Sequence, residues 1–385
     1  MSVNDAPTEG KGRAIDGAWV ISSCADARAI LVNAAARVPP DSPPSLLAGG
    51  GASDAVVARG VLLRALWMWG CDDDRRPLLR KAGASALGSA SIERLIPYLE
   101  ERAAALLDEA GPEAEIDLVA GFARPLVRDA LMELLGIPAA GRAGLEAQVS
   151  AMAGFIPGHG GGGTARYFAL AATAKAVEDL WRRPLPPLAG ASRALYGAVE
   201  TGDLSLDEAL AQATLLLFGN SYTTLEALAG LLARLAGQPS LWQGALDGSL
   251  PVPRLVEEGL RLGPPAHLVL LRDAARDIQC PGGIIPAGAR VVLPLDRLNR
   301  DAACFDRPDA FDPERAGPPH LAFGAGRHMC IGLHLARAVI RIGVEALLRR
   351  LPEWPAETRT GFAPGILGGS SLARLAVPAG ALRPC

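Results

Sequence analysis

Long apolar segments with helix-capping signals dominate the chain. The longest, from Ser205 to Leu235, is predicted to form a single helix, because Ser205 is a favourable N-cap residue. Asp207 and Glu208 would lie in its first turn, where the helix dipole favours negative charge. A second helix is predicted to begin at Leu333, in a run rich in Ala, Leu, Ile and Arg.

Strand-like and irregular segments occupy a small part of the chain. Gly17 to Ile21 is predicted to form a short strand, and a helix is expected over Ala25 to Ala35. Residues 38–53 are rich in Pro, Ser and Gly, which indicates an irregular loop. Residues 1–16 are expected to form a loose N-terminal tail. Sheet is therefore a minor element.

Composition and charge narrow the class of partner. The chain has 385 residues, half of them apolar, which is ample material for a core. Its net charge of -3 and pI near 6.0 give no reason to expect nucleic acid as a partner. The six cysteines are far apart and form no Cys-x-x-Cys pair, so neither a disulfide framework nor a zinc site is expected.

The N-terminal residues lack the features of a targeting segment. Residues 1–15 contain no apolar core, which predicts neither a signal peptide nor a membrane anchor. No uninterrupted apolar run reaches the about 18 residues typical of a membrane span. A reducing, cytoplasmic setting is expected.

The strongest chemical signal lies in residues 323–332, which surround Cys330. Glycines at 324, 326 and 332 allow backbone conformations with positive φ and a close approach to a flat group, so the loop can present a sulfur at its tip. The helix predicted from Leu333 would place that sulfur near a helix N-terminus, which favours a thiolate. A lone cysteine among apolar residues is more often a small buried side chain.

The surroundings of Cys330 decide between these interpretations. The pattern Phe-Gly-x-Gly-x-His-x-Cys-x-Gly is matched at every fixed position, and it resembles the haem-binding loop of the cytochrome P-450 family. The resemblance implies that the Cys330 thiolate is the axial ligand of a haem b iron. It also implies that His328 reaches a haem propionate and that Phe323 shields the sulfur, with Gly324 and Gly332 completing the loop.

The same resemblance implies the fold and the domain organisation. Length alone favours two or three domains, but the likeness runs over nearly the whole chain. It implies a mainly α protein with a minor β-sheet, the single-domain cytochrome P-450 fold, in which a long central helix crosses the distal haem face. That domain would cover residues 17–385.

Further cofactor contacts are implied by arginines elsewhere in the chain. The segment from Asp72 to Arg80 is similar to the family's propionate-binding segment, with Arg76 standing where the family has His. Arg76 and Arg80 are four residues apart, so they share a helical face, and a guanidinium suits a carboxylate well. Arg272 is similar to another propionate-binding arginine of the family.

The middle of the long helix departs from the family pattern. Thr223 and Thr224 match the family's Thr-Thr pair, while Asn220 stands for Gly and Tyr222 for the acidic residue. By resemblance, Thr223, Tyr222 and Asn220 are the candidate catalytic residues that deliver protons to bound oxygen. A phenol relays protons poorly near neutral pH. Either Tyr222 packs against a neighbouring helix, or protons come from substrate or water, or the reaction is not hydroxylation.

An acid and two arginines resemble the family's buried ion network. Glu258 and Arg261 are three residues apart in a predicted helix, and Arg315 lies five residues before His320, as in relatives. The resemblance implies that Glu258, Arg261 and Arg315 maintain the fold and retain haem.

Apolar and small residues around these landmarks are the predicted substrate pocket. They are Phe218, Gly219, His267, Leu268, Leu270 and Ile366. His267 faces either the substrate or the sheet. The Gly-rich residues 157–163 are predicted to form a mobile entrance or a plain connector.

These expectations imply an oxidoreductase that activates O₂ to oxidise a small apolar or aromatic molecule, by C–H hydroxylation, in specialised metabolism. No flavin- or nicotinamide-binding segment is visible, so electrons would come from a separate ferredoxin and ferredoxin reductase. The alternatives are oxidative aryl or indole coupling, or nitration, of an aromatic amino acid, cyclic dipeptide or peptide. A further alternative is a haem-binding relative without catalytic turnover.

Overall fold

The computed structural model describes residues 13–15, 17–39, 52–72, 74–109, 115–155, 163–263, 269–364 and 370–383. These fall into two compact units, each described by itself. The sheet unit comprises Met1–Pro40 and Glu257–Cys330, and the helical unit comprises Asp41–Val256 and Ile331–Cys385.

Helices make up most of the described residues, which confirms the predicted mainly α class. They are α1 Cys24–Val32, α2 Ala52–Ala65, α3 Arg76–Ala86, α4 Ser89–Glu109, α5 Arg124–Leu135, α6 Ala139–Ala151, α7 Ala165–Trp181, α8 Gly190–Glu200, α9 Leu206–Ala236, α10 Pro239–Leu246, α11 Val252–Leu262, α12 Leu295–Leu298 and α13 Leu333–Arg350. Short 3₁₀ turns lie at Met68–Gly70, Met152–Phe155, Gly326–His328 and Ala379–Ala381, and a π-helical turn at Leu118–Ala123.

Helix α9 is the core of the helical unit. The hydroxyl of Ser205 accepts the Glu208 N–H at 3.2 Å and the Glu208 carboxylate accepts the Ser205 N–H at 2.7 Å, which confirms the predicted cap. Helices α5, α7, α8 and α13 pack around it. Its leucines are largely buried, and each fully buried Leu contributes about 1.5–3 kcal/mol.

Helix α9 also meets the length and composition of a membrane span. It is the one helix of the described residues that does so, and 67% of its most apolar window is buried inside the protein. A buried core helix has this composition.

The sheet unit is built on a five-stranded sheet. The strands are β1 Arg13–Ile15, β2 Ala18–Val20, β3 Ala36–Arg37, β5 Val269–Ala274 and β8 Arg290–Pro294, in the order β1-β2-β8-β5-β3. Strands β2 and β8 are parallel and the other pairs are antiparallel. Strands β6 Ile278–Cys280 and β7 Gly283–Ile285 form a hairpin. Helix α1 and these strands share one apolar core, which includes Ile21, Cys24, Ile30, Leu293 and Leu321.

A smaller sheet belongs to the helical unit. Strands β4 Glu115–Asp117, β9 Arg359–Pro364 and β10 Ser370–Pro378 are antiparallel in the order β4-β10-β9. Strand β10 also packs against α9.

Three local expectations differ from the structure. The helix expected over residues 25–35 ends at Val32, because the backbone of Asn33 is extended and its N–H donates to Ile30 O. Part of the expected tail, Arg13–Ile15, is strand β1. The loop expected over residues 38–53 overlaps α2, which begins at Ala52.

Candidate active site

Cys330 ends a loop whose backbone is fixed by hydrogen bonds within the sheet unit. The Cys330 N–H donates to Phe323 O at 2.9 Å, and the Met329 N–H donates to Gly326 O at 3.0 Å. These bonds close the loop around the 3₁₀ turn Gly326–His328. Cys330 is nevertheless exposed, so the loop holds a sulfur at the surface of its unit.

Two glycines make this loop possible. Gly324 and Gly326 have φ of +66° and +68°, a left-handed conformation that other residues adopt only with strain. A Cβ on Gly326 would lie 2.4 Å from Leu31 O and 3.0 Å from Val32 Cα. The loop therefore rests directly on the C-terminal backbone of α1. A Cβ on Gly324 would meet only Leu270 Cδ1, at 3.7 Å.

Of the predicted propionate residues of the sheet unit, His328 lies within this loop and Arg272 lies on β5. His328 is half-buried in the 3₁₀ turn. Arg272 is buried on β5, where its Nη1 donates to Leu271 O at 2.7 Å. Phe323 is half-buried, and its ring lies 5.9 Å from the ring of His320.

Glu258, Arg261 and Arg315 form one buried ion network. Arg261 donates to both Glu258 carboxylate oxygens at 2.7 Å, and Arg315 Nε donates to Glu258 Oε1 at 3.2 Å. The Asp312 N–H adds a fourth bond, at 2.9 Å. Burial opposes ionisation of Glu258, but these donors outweigh it and hold the pKa of that carboxyl below its ordinary value.

The network fixes the segment that precedes the Cys330 loop. Arg261 Nη1 donates to Asn299 O and Pro308 O at 2.8 and 2.7 Å. Asn299 Oδ1 in turn accepts the Leu321 N–H at 2.6 Å. One arginine thus connects α11 to the backbone that leads into the loop.

Helix α3 of the helical unit carries Arg76 and Arg80 one turn apart. Arg76 is buried and Arg80 is half-buried. Gly83 lies near the same face, and a Cβ there would be 2.7 Å from Met68 Cε and 2.9 Å from Ile331 Cδ1. Ile331 directly follows Cys330 in the chain. The arginine-bearing face of α3 is therefore close to the residue after the candidate ligand.

Helix α9 has a narrow exposed stripe in its middle. Gly219 is exposed and Thr223, one turn later, is half-buried, whereas the residues around them are mostly buried. The Thr223 hydroxyl donates to Gly219 O at 2.6 Å. Asn220 is already engaged, since its Nδ2 donates to Val127 O and its Oδ1 accepts the Thr224 hydroxyl, both at 3.1 Å. Thr223 is the hydroxyl-bearing residue of this stripe.

Tyr222 lies in the core beside another helix. Its side chain is 8% exposed, and the hydroxyl makes no full hydrogen bond within the described part of the chain, with only a weak interaction with Ser150 of α6. Burial raises the pKa of the Tyr222 phenol, and the interactions with Ser150 and Arg124 only partly offset that effect. The phenol therefore stays neutral, and its side chain is buried beside α6.

The predicted pocket residues have different surroundings. Phe218 is 4% exposed and stacks on Trp67 with ring centroids 5.1 Å apart. Leu270 is partly buried against the core of the sheet unit. His267, Leu268 and Ile366 lie outside the described residues, as does most of the predicted entrance, residues 157–162.

Comparisons with known proteins identify relatives of this chain. The cytochrome P-450 family model matches residues 252–355. Cytochrome P-450 107B1 of Saccharopolyspora erythraea is 31% identical over 277 residues, which are 71% of this chain and 67% of that protein. Nocardicin C N-oxygenase of Nocardia uniformis subsp. tsuyamanensis is 31% identical over 291 residues, 74% of this chain and 72% of that protein. The chain belongs to the cytochrome P-450 family.

The fold of this cytochrome P-450 matches solved members. The crystal structure of P-450BioI in complex with a hexadec-9Z-enoic acid ligated acyl carrier protein superposes with a TM-score of 0.81. That match covers 94% of this chain and 92% of the other, at 24% identity. The protein is thus an oxidoreductase of the monooxygenase class, whose chemistry rests on haem iron and electrons from a redox partner.

The described residues of this cytochrome P-450 fit a thiolate-bound haem. The Cys330 sulfur is exposed on a loop whose backbone is fixed. Gly324 lacks a Cβ in that loop, so a flat group can approach the loop backbone closely. An exposed thiol on a rigid loop is a suitable axial ligand.

Sequence reasoning missed an aromatic and arginine cluster that borders Phe218. Trp67, Trp69, Phe155 and Phe218 have ring centroids 5.1–6.3 Å apart, and the Arg64 guanidinium lies 4.9 Å from the Trp67 ring. Trp69 is 39% exposed, in contrast to its buried neighbours. Trp67 and Trp69 lie just before and in the 3₁₀ turn after α2, whereas Phe155 is in a second 3₁₀ turn and Phe218 is on α9. No local sequence pattern joins these three segments.

An ion network on α4, α5 and α6 was also missed. Asp129 is 2% exposed and accepts hydrogen bonds from Arg102 and Arg128, both at 2.8 Å. Arg142 of α6 donates to Tyr98 at 2.6 Å and pairs with Glu133. Burial opposes ionisation of Asp129, but the arginines outweigh it and lower its pKa. Arg102 and Asp129 are 27 residues apart and Arg142 and Tyr98 are 44 apart, on different helices, so helical spacing rules do not pair them.

Proposed function

We propose that this cytochrome P-450 binds haem b through Cys330 and hydroxylates a C–H bond of a small apolar or aromatic molecule in specialised metabolism. The observation that carries the proposal is the exposed Cys330 sulfur on a loop fixed by hydrogen bonds and two left-handed glycines. A thiolate held in this way needs no rearrangement to bind iron. The family shown by the relatives supports the same chemistry.

The cofactor would be held by a sulfur ligand to its iron and by cationic side chains at its propionates. Haem b supplies O₂ activation at its iron when it is bound. Cys330 ligates the iron, and His328 and Arg272 bind propionate. Arg76 and Arg80 of α3 have the same role, because a guanidinium matches a carboxylate in charge and geometry.

Proton delivery is assigned to Thr223 and water. Thr223 carries the hydroxyl of the exposed stripe on α9, next to Gly219. Tyr222 is buried and remains protonated, so we assign it packing between α9 and α6. Asn220 positions Thr224 and α5 through its two hydrogen bonds.

The substrate class follows from the side chains next to the exposed stripe. The partly exposed Trp69, whose ring packs against the buried Phe218, gives this part of the helical unit an aromatic surface. Such a surface favours uncharged or aromatic molecules by stacking. A cytoplasmic ferredoxin and its reductase are the proposed electron donors.

Spectral titration of the ferric protein tests the substrate class. Aromatic amino acids, cyclic dipeptides, fatty acids and terpenes are added in turn, and a shift from low to high spin reports displacement of water from the iron. A shift with an aromatic or apolar class is expected. Turnover of that compound under heavy-oxygen-labelled O₂, with reduced ferredoxin, should then give a product that contains one labelled oxygen atom. A product without label would overturn hydroxylation.

Oxidative coupling is the second candidate, and Tyr222 is the observation that favours it. The position that carries an acid in relatives holds a buried phenol here, which weakens the usual route for protons. Coupling joins two aromatic groups and inserts no oxygen. A product lighter than its substrates by two hydrogens, without label, would identify it.

A further inference from the structure

Two cysteines from distant parts of the sequence meet in the sheet unit. Cys24 is the first residue of α1 and is 0% exposed, within the apolar core of the unit. Cys304 lies in the turn after α12 and packs against the same core, but is only partly buried. The two thiols interact electrostatically with each other, and neither is in a disulfide.

Asp301 holds the backbones of both cysteines. Its Oδ2 accepts the Cys24 N–H at 2.7 Å and its carbonyl oxygen accepts the Cys304 N–H at 3.0 Å. Its Oδ1 also accepts the Ala303 N–H at 2.9 Å, which closes the turn. A disulfide needs two Cα atoms within about 4.4–6.8 Å and side chains directed at each other. Anchoring of both backbones on Asp301, with both side chains packed against one core, favours this arrangement.

The two thiols differ in chemical character. Burial raises the pKa of the Cys24 thiol to about 11, and the nearby Arg28 guanidinium only partly opposes it. Cys24 is therefore a protonated thiol at neutral pH, shielded from solvent. Cys304 is the sulfur that an oxidant reaches first.

We infer that Cys24 and Cys304 form a reversible disulfide when the protein meets hydrogen peroxide. Peroxide oxidises the Cys304 sulfur to a sulfenic acid and is itself reduced to water. The Cys24 sulfur then attacks the Cys304 sulfur, and the hydroxyl group leaves as a second water with the Cys24 proton. Two thiols and one peroxide thus give one disulfide and two waters. A small-molecule thiol reverses the bond by exchange.

The disulfide would link α1 to the turn after α12, on the structure that supports the Cys330 loop. The C-terminal backbone of α1 is the surface on which Gly326 rests, four residues before Cys330. Arg327 also donates to Ala36 O at 3.4 Å, just after that helix. Oxidation would therefore tether the N-terminal end of α1, whose C-terminal end supports the loop, without changing any group next to Cys330.

Peptide mapping of the full-length haem-containing protein tests the inference. The protein is treated with hydrogen peroxide or, separately, with diamide, which oxidises thiols without haem chemistry. Free thiols are then alkylated and the protein is digested without reductant. A cross-linked peptide pair that contains Cys24 and Cys304 is expected, and dithiothreitol should abolish it.

Cys280→Ser is the matched control. Cys280 packs against the same core and is also partly buried, but its thiol donates to Gly283 O at 3.1 Å. The cross-link should persist in Cys280→Ser and disappear in Cys304→Ser. Alkylation of both cysteines after oxidation would overturn the inference, as would over-oxidation of Cys304 without a cross-link, or a cross-link that contains Cys280. Each of these results is read from wild-type protein, so it does not depend on how the variants fold.

Discussion

Gly326→Ala should damage the Cys330 loop severely. The new Cβ would lie 2.4 Å from Leu31 O and 3.0 Å from Val32 Cα, and both are backbone atoms that cannot rotate away. The φ of +68° adds strain of about 1–2 kcal/mol. Forcing the backbones apart adds about 1–3 kcal/mol. The combined loss of unfolding free energy is about 2–5 kcal/mol.

Gly324→Ala separates backbone strain from the clash. Gly324 has nearly the same φ, +66°, but its Cβ would meet only Leu270 Cδ1, in ordinary contact at 3.7 Å. This variant should therefore lose only the strain of about 1–2 kcal/mol. The two variants lie two residues apart in one loop, so the difference between them measures the contact with α1.

Urea unfolding followed by circular dichroism measures both losses, and the ferrous carbon monoxide spectrum reports the thiolate in the folded state. Gly326→Ala should unfold at lower urea and give a smaller thiolate-type band than Gly324→Ala. Equal losses in the two variants would refute the close approach of Gly326 to α1.

Four further substitutions test other parts of the account. Tyr222→Phe removes a buried hydroxyl without a full hydrogen bond, so coupling of O₂ consumption to product should stay unchanged; a marked fall would restore Tyr222 to proton delivery. Gly60→Ala places a Cβ 2.1 Å from Tyr167 O, so α2 and α7 must separate, and thermal unfolding should show a loss of about 1–3 kcal/mol. Its control, Gly197→Ala, places a Cβ with nothing within 4 Å and should stabilise the helix by about 0.5–1 kcal/mol. Glu258→Gln should cost about 3–5 kcal/mol at pH 7. The pKa of Glu258 is lower in the folded than in the unfolded protein. The stabilisation from this carboxylate is therefore present above its unfolded pKa of about 4.3 and is lost as pH falls through its folded pKa. If Glu258→Gln lost stability with falling pH in the same way as wild type, that result would contradict the network.

Local signals predicted the starts of α9 and α13 correctly. Ser205 and Glu208 are three residues apart, and the capping box they form depends only on local geometry. The helix start at Leu333 was likewise predicted from its composition, and α13 begins there. All the residues that determine such a helix start lie within one turn, so the local sequence is enough to predict it.

Features that join distant elements could not be predicted in this way. Asp129 and Arg102 are on different helices, and the Cys24 and Cys304 pair is separated by most of the chain. The packing of Tyr222 against α6 also depends on which way α9 turns that side chain. The thiolate ligand could be predicted from the sequence because the glycines and the sulfur of the Cys330 loop lie within ten residues.

The central claim is that Cys330 is the thiolate ligand of a haem iron. The ferrous carbon monoxide difference spectrum of wild type and Cys330→Ser tests it most directly. Wild type should give the thiolate-type band, and Cys330→Ser should lose it even where haem remains bound. A wild-type band in the serine variant would contradict the account.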